Sequence, residues 1–202
     1  LADWYRILNI GYRFPAVGAC DYPACRFLGD SRTYVHRQGA SNVVDWFKGL
    51  ARGASFISSG PMLLLEVDGQ PPGAVLARNG RGPEPEPVTV TIKIRVRCDV
   101  TPVTNLHLIL NGQVVARREI PADQAKGRWF QHEQTLALDR SSWIAARAFS
   151  AASNGSPDAE AHANPVYVPI DGKAPYVQAD LDALVAKLDG QMAIHRKRDF
   201  AE

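Results

Sequence analysis

Much is missing from this sequence, and each absence closes off a class of chemistry. The three cysteines, Cys20, Cys25 and Cys98, are too few for a disulfide framework and fit no zinc-knuckle spacing, so they read as reduced thiols. No apolar run approaches the ~20 residues of a membrane span, and no secretory segment is present. Basic residues form no stripe interleaved with aromatics, which argues against a nucleic-acid surface. The only basic cluster, His195 to Arg198, reads as a solvated helix end. Gly80-Arg-Gly82 lies in a Pro-rich loop and does not lead a strand into a helix, so it is no phosphate cradle. The five histidines, His36, His107, His132, His162 and His195, make no H-x-H or H-E-x-x-H pair, and there is no G-x-S-x-G elbow. Leu1 is not an initiator Met, so the numbering is expected to start inside a longer product, with its compartment left open.

What is present suffices for a globular core: 202 residues, 46% hydrophobic and 22% charged, with a net charge of +2. Residues 2–11 place Trp4, Ile7 and Leu8 on one face of a short amphipathic helix, and Pro15 stops it. The apolar run Ala16–Cys20 reads as a short buried strand, ending at Asp21 ahead of Pro23. An acid at the tip of a buried strand is where α/β enzymes put catalytic or metal-binding groups. An Asp before x-Pro is equally at home opening a turn, and both readings of Asp21 stay open on this ground. Arg32 to His36 alternates like a strand. Ser41 offers an N-cap to a helix with the apolar stripe Val43, Val44, Phe47 and Leu50, stopped at Gly53.

The period then changes. Residues 54–58 and 62–67 are strand-like, 68–73 are turn chemistry, and 79–87 form an extended Pro-rich loop. Val88, Val90, Ile92, Ile94 and Val96 alternate with Thr89, Thr91, Lys93, Arg95 and Arg97, the clearest strand in the chain. Leu106, Leu108 and Leu110 lead into the hairpin signal Asn111-Gly112. Further strands are expected at 129–138, 143–149 and 166–170, with a loop at 150–165. Arg147 interrupts an apolar strand, so it needs an acidic or carbonyl partner or an outward-facing position. About seven strands between residues 61 and 170 fit an immunoglobulin-like β-sandwich. A last helix, near 177–195, carries the stripe Leu181, Leu184, Val185 and Leu188, with Gly190 as a candidate break.

Several strings are similar to those of one family. Trp4 to Pro15, Gly18-Ala-Cys-Asp21 and Arg32-Thr-Tyr-Val35 resemble the closing segment of PHP-superfamily metallohydrolases, in their CehA/McbA-like branch. Phe56 to Met62, Ser142 to Arg147 and Ala161 to Val168 extend the likeness over most of the chain. The resemblance implies that residues 1–60 are the last β/α unit of a (β/α) barrel, 61–170 the sandwich and 171–202 a helix and tail. The fold class is then α+β and predominantly β. It also implies a divalent-metal site, zinc or manganese, in the full-length protein, which would hydrolyse a phosphoester, ester or carbamate-type bond of a small molecule. Asp21 occupies the Asp position of the family's last metal motif, but Pro23 stands where its His would be. At most one ligand therefore carries over, and Arg32 and Tyr34 near the same strand end take no firm role. The expected partner is the remainder of the barrel or a second copy of the chain. The alternative is a non-catalytic β-sandwich module binding a ligand or a protein.

Overall fold

The alternation along residues 88–97 organises the fold. One face of that strand lies in a core between two sheets and the other is wet, so the chain is predominantly β. A computed structural model describes residues 1–24, 27–37, 42–80, 87–150 and 159–196. In chain order the elements are α1 (Ala2–Asn9), β1 (Arg32–Val35), α2 (Val43–Ala51), β2 (Ser55–Ser58) and β3 (Met62–Val67). β4 (Val88–Arg97), β5 (Asn105–Leu110), β6 (Gln113–Glu119) and β7 (Phe130–Leu138) follow, then β8 (Ser142–Phe149), β9 (Glu160–Ala163), β10 (Val166–Val168) and α3 (Gln178–Arg196).

One sheet runs β1-β2-β9-β8-β5-β6 with β10 also paired to β8, and the other runs β3-β4-β7. All the strand pairs are antiparallel. Between the sheets Leu63, Leu65, Ile92, Ile94, Leu106, Leu108, Ile144 and Val168 are all but sealed from water. Each such side chain contributes roughly 1.5–3 kcal/mol relative to remaining exposed. A second, smaller core lies on the other face of the larger sheet, where Leu8 of α1 meets Ile109, Trp143, Ala145 and Tyr167. β8 is consequently covered on both faces, which explains its unalternating SWIAARAF sequence. Asn111 and Gly112 have φ of 48° and 81°, the left-handed pair that closes a two-residue hairpin between β5 and β6.

Four sequence expectations are corrected. Ala16–Cys20 belongs to neither sheet. Its backbone polar groups are taken by side chains instead: the Ala16 N–H donates to Asn164 Oδ1 at 2.8 Å, and the Gly18 N–H donates to Thr33 Oγ1 at 2.8 Å. Residues 150–165 are not all loop, because Glu160–Ala163 is β9, inserted between β2 and β8. Its EAHA sequence has no β-branched residue and no clean alternation, so its partners make it a strand. Residues 151–158 lie outside the described residues, as do Cys25, Ser41, Arg81 and Gly82. The N-cap of α2 is Asn42, whose side-chain oxygen accepts from the Asp45 N–H at 2.8 Å. Finally, α3 runs straight through Gly190 and buries none of its residues, leaving Val185 and Leu188 in water.

α1, residues 12–20 and α2 together cover the outer face of the larger sheet. Thr33 and Val35 point to that face, and a Cβ on Gly49 of α2 would meet Val35 Cγ1 at 2.5 Å. β1 and β2, which fall within residues 1–60, are hydrogen-bonded into the sheet of residues 61–170 through the β2–β9 pair.

Candidate functional site

Asp21 stands at the end of the segment laid over β1 and β2. Its φ of 51° is left-handed, and it is exposed to solvent. The approach to it is tightly packed, since a Cβ on Gly18 would lie 2.5 Å from Ile57 Cγ2 and 2.6 Å from Ser31 Oγ. Arg32 and Tyr34, two positions apart on β1, are neighbours of each other. Arg32 Nη1 lies 3.5 Å from the Tyr34 hydroxyl, and the Tyr34 ring turns inward to stack on Phe56, with centroids 4.9 Å apart.

The first fifty residues expose many apolar side chains. Phe27 is 81% exposed, Leu28 73% and Val43 70%, and Phe14, Val17, Tyr22, Val44 and Phe47 are also exposed. Three of the four stripe residues of α2, Val43, Val44 and Phe47, are turned outward, while Gly49 is buried and Leu50 half-buried. Where such residues form a contiguous patch on a folded protein, they mark a surface that another body covers.

The scaffold that carries this face is anchored by a polar network under α1. His162 of β9 is buried, with Nδ1 2.8 Å from the Ala163 carbonyl oxygen and Nε2 2.5 Å from the Tyr5 hydroxyl. A carbonyl only accepts, so Nδ1 carries the proton and Nε2 accepts from the Tyr5 O–H. Burial pushes His162 down to about 4 and Tyr5 up to about 12, which holds both neutral around pH 7. Beside them the Trp143 indole N–H donates to Asn9 Oδ1 at 2.7 Å, and Asn9 Nδ2 donates to the Asn111 carbonyl at 3.2 Å and to Asp180 Oδ2 at 2.8 Å. Asn164 Nδ2 donates to the Ala16 carbonyl at 2.9 Å and to Ser55 Oγ at 2.8 Å. The string Ala161 to Val168 is therefore the strip on which the N-terminal segment docks. Sequence reasoning missed these roles, although that string had already been singled out.

Arg147 has the acidic partner its apolar strand required, with Nε 2.5 Å from Glu160 Oε1 and the guanidinium 4.7 Å from the Phe149 ring centroid. His107 packs edge-on against Phe149, and His132 lies 2.9 Å from Gln134 Oε1. Gly80 donates its N–H to Asp171 Oδ1, a loop contact.

The donor set does not fit a metal centre. Among the described residues no three His, Cys, Asp or Glu side chains are grouped to hold an ion, and a catalytic zinc typically needs about three protein ligands. Asp21 offers one carboxylate. No helix of the described residues is long and apolar enough to cross a membrane.

No protein-family model matches the chain, and no curated protein does. Four solved chains match, among them that of the crystal structure of chicken MD-1 complexed with lipid IVa. It is 15% identical over 56% of this chain and 89% of its own, with a TM-score of 0.23. So shallow a superposition carries over neither fold nor ligand.

Proposed function

We propose that this chain is the C-terminal portion of a PHP-type metallohydrolase of the CehA/McbA-like branch. In this reading residues 1–60 correspond in sequence to the last β/α unit of its barrel, although their β1 and β2 join the antiparallel sheet of residues 61–170, and residues 61–170 form an immunoglobulin-like sandwich that buttresses the barrel. Asp21 supplies one ligand to a zinc or manganese site, and upstream residues supply the others. Alone, the chain neither binds metal tightly nor turns over substrate.

The observation that carries this reading is the exposure of Val43, Val44 and Phe47 on α2, together with that of Val17 and Tyr22, which flank Asp21 in sequence. An amphipathic helix that turns Val43, Val44 and Phe47 to water lacks the body that would cover them. The remainder of a barrel is the occupant that also brings ligands to Asp21.

The test is Asp21→Asn in the protein that carries the upstream barrel. Hydrolysis of a phosphoester, ester or carbamate substrate should fall by orders of magnitude, with the sandwich intact by circular dichroism. Unchanged turnover removes Asp21 from the site. Sedimentation of the 202-residue chain separates the occupants: a tight dimer through this face would assign it to a second copy.

A further inference from the structure

A cleft of about 480 Å³ lies between α2 and the Pro71-Pro72-Gly73 turn, and its walls are cationic. Arg37, Lys48 and Arg52 line it, against Asp45 as the one acidic lining residue, a surplus of two positive charges before His36 is considered. Asp45 accepts from Asn42 Nδ2 at 2.5 Å and pairs loosely with Lys48 Nζ at 3.9 Å, which leaves the net surplus on Arg37 and Arg52. No carboxylate pairs with Arg52 among the described residues. Basic residues at a helix C-terminus offset its partial negative charge, which accounts for Lys48 and Arg52. Arg37, just past the end of β1, donates to the Asn42 carbonyl at 3.4 Å and lines the same cleft.

The walls are preformed. A Cβ on Gly73 would lie 2.2 Å from the Arg52 carbonyl oxygen, so the turn rests directly on the end of α2. The Gly73 N–H donates to the Pro165 carbonyl at 2.8 Å, and the His36 N–H donates to the Ala54 carbonyl at 2.6 Å.

His36 and Pro72 also line a second, mostly apolar space of about 190 Å³, with Tyr34, Phe56, Met62 and Leu64 around it and the charges of Glu66 and Arg95 offsetting each other on its wall. An apolar cavity of about 150 Å³ is enough to take up a benzene ring. From this adjacency we infer that the two spaces form one binding site for an organic anion. An aromatic or short aliphatic group occupies the smaller space, and its phosphate or carboxylate lies among Arg37, Lys48 and Arg52. Guanidinium groups recognise such anions through paired, charge-assisted hydrogen bonds.

Phenyl phosphate titrated into the 202-residue chain at low salt, followed by calorimetry and amide chemical shifts, tests this directly. Binding should saturate, shifting residues 34–37, 48–54 and 71–74. The variant Lys48→Ala/Arg52→Ala should weaken it at least about tenfold, the equivalent of one 1.4 kcal/mol step. A remote control of equal charge, Arg117→Ala/Arg118→Ala, should leave it unchanged. Inorganic phosphate, which lacks the ring, should bind at least about tenfold more weakly. No saturation by ~10 mM phenyl phosphate, equal losses in both variants, or equal affinity for the two probes would each overturn the inference. Metal and turnover play no part in this measurement, so its failure would leave the hydrolase proposal standing.

Discussion

The Tyr5 hydroxyl and the His162 ring, 157 positions apart in sequence, meet at 2.5 Å beneath α1. That contact fixes the imidazole as a neutral acceptor, and the burial of the ring makes stability depend on pH. Burial lowers the folded-state value of His162 from 6.5 to about 4, so between those limits the unfolded chain binds the extra proton. Stability is then fully present above about pH 6.5 and is lost as pH falls toward 4, by on the order of 3 kcal/mol. Urea unfolding at pH 7.5 and pH 4.5 measures the loss. Tyr5→Phe keeps the ring and removes the donor, leaving Nε2 buried without a partner at about 1–3 kcal/mol. Equal midpoints for wild type and Tyr5→Phe would remove the contact from the account.

Asn9 should matter more than its size suggests. Asn9→Ala leaves the Trp143 indole N–H without its acceptor in a buried site, which costs about 1–3 kcal/mol for that group alone. Asp180→Ala removes a partner that is 23% exposed, together with its 3.7 Å pairing to Arg6, and should cost less, about 1 kcal/mol. It should instead speed amide exchange in α3, which is tied to α1 through Asp180 and the Lys187–Asp3 pair. Denaturation of the two variants, followed by tryptophan fluorescence, ranks them.

Two glycines of similar backbone conformation separate strain from collision. Gly69 and Gly73 have φ of 74° and 80°. A Cβ on Gly69 meets nothing within 4 Å, so Gly69→Ala should cost only the left-handed penalty of about 1 kcal/mol. Gly73→Ala drives a methyl into the backbone of residues 52–54 and should cost more than about 3 kcal/mol. Thermal unfolding of both variants decides it, and equal costs would mean the turn does not rest on α2.

The outward stripe of α2 should be tolerant in this chain. Val44→Lys with Phe47→Lys removes apolar groups already in water, so the unfolding free energy should stay within about 0.5 kcal/mol. If an upstream barrel covers this face, as proposed, the same pair in the longer protein should weaken its stability by several kcal/mol, as lost buried contacts and unpaired charges do. Comparative calorimetry checks both halves of this statement.

The sequence was most legible where local chemistry decides structure. Period-2 alternation marked β4, and Asn111-Gly112 marked the β5–β6 hairpin, because each needs only its neighbours in sequence. β9 was hidden because EAHA becomes a strand only between β2 and β8. The apolar run at Ala16–Cys20 suggested a buried strand, yet its backbone is held by Asn164 and Thr33, partners that no periodicity reveals. The α2 stripe was visible, but its direction was not, since the sheet takes Gly49 rather than Phe47. At the candidate site Asp21 stood out as an acid ending an apolar run. Asn9, His162 and Asn164 matter through contacts that span more than a hundred residues, and single polar residues in apolar strings gave only a faint signal of them.

The central claim is that Asp21 belongs to a site whose other ligands lie outside this chain. Metal content of the purified 202-residue chain, titrated with zinc and with manganese and read by elemental analysis after gel filtration, tests it most directly. The account predicts substoichiometric metal that Asp21→Asn leaves unchanged, and stoichiometric metal only in the protein with the upstream barrel. One tightly held equivalent on residues 1–202 alone would contradict it.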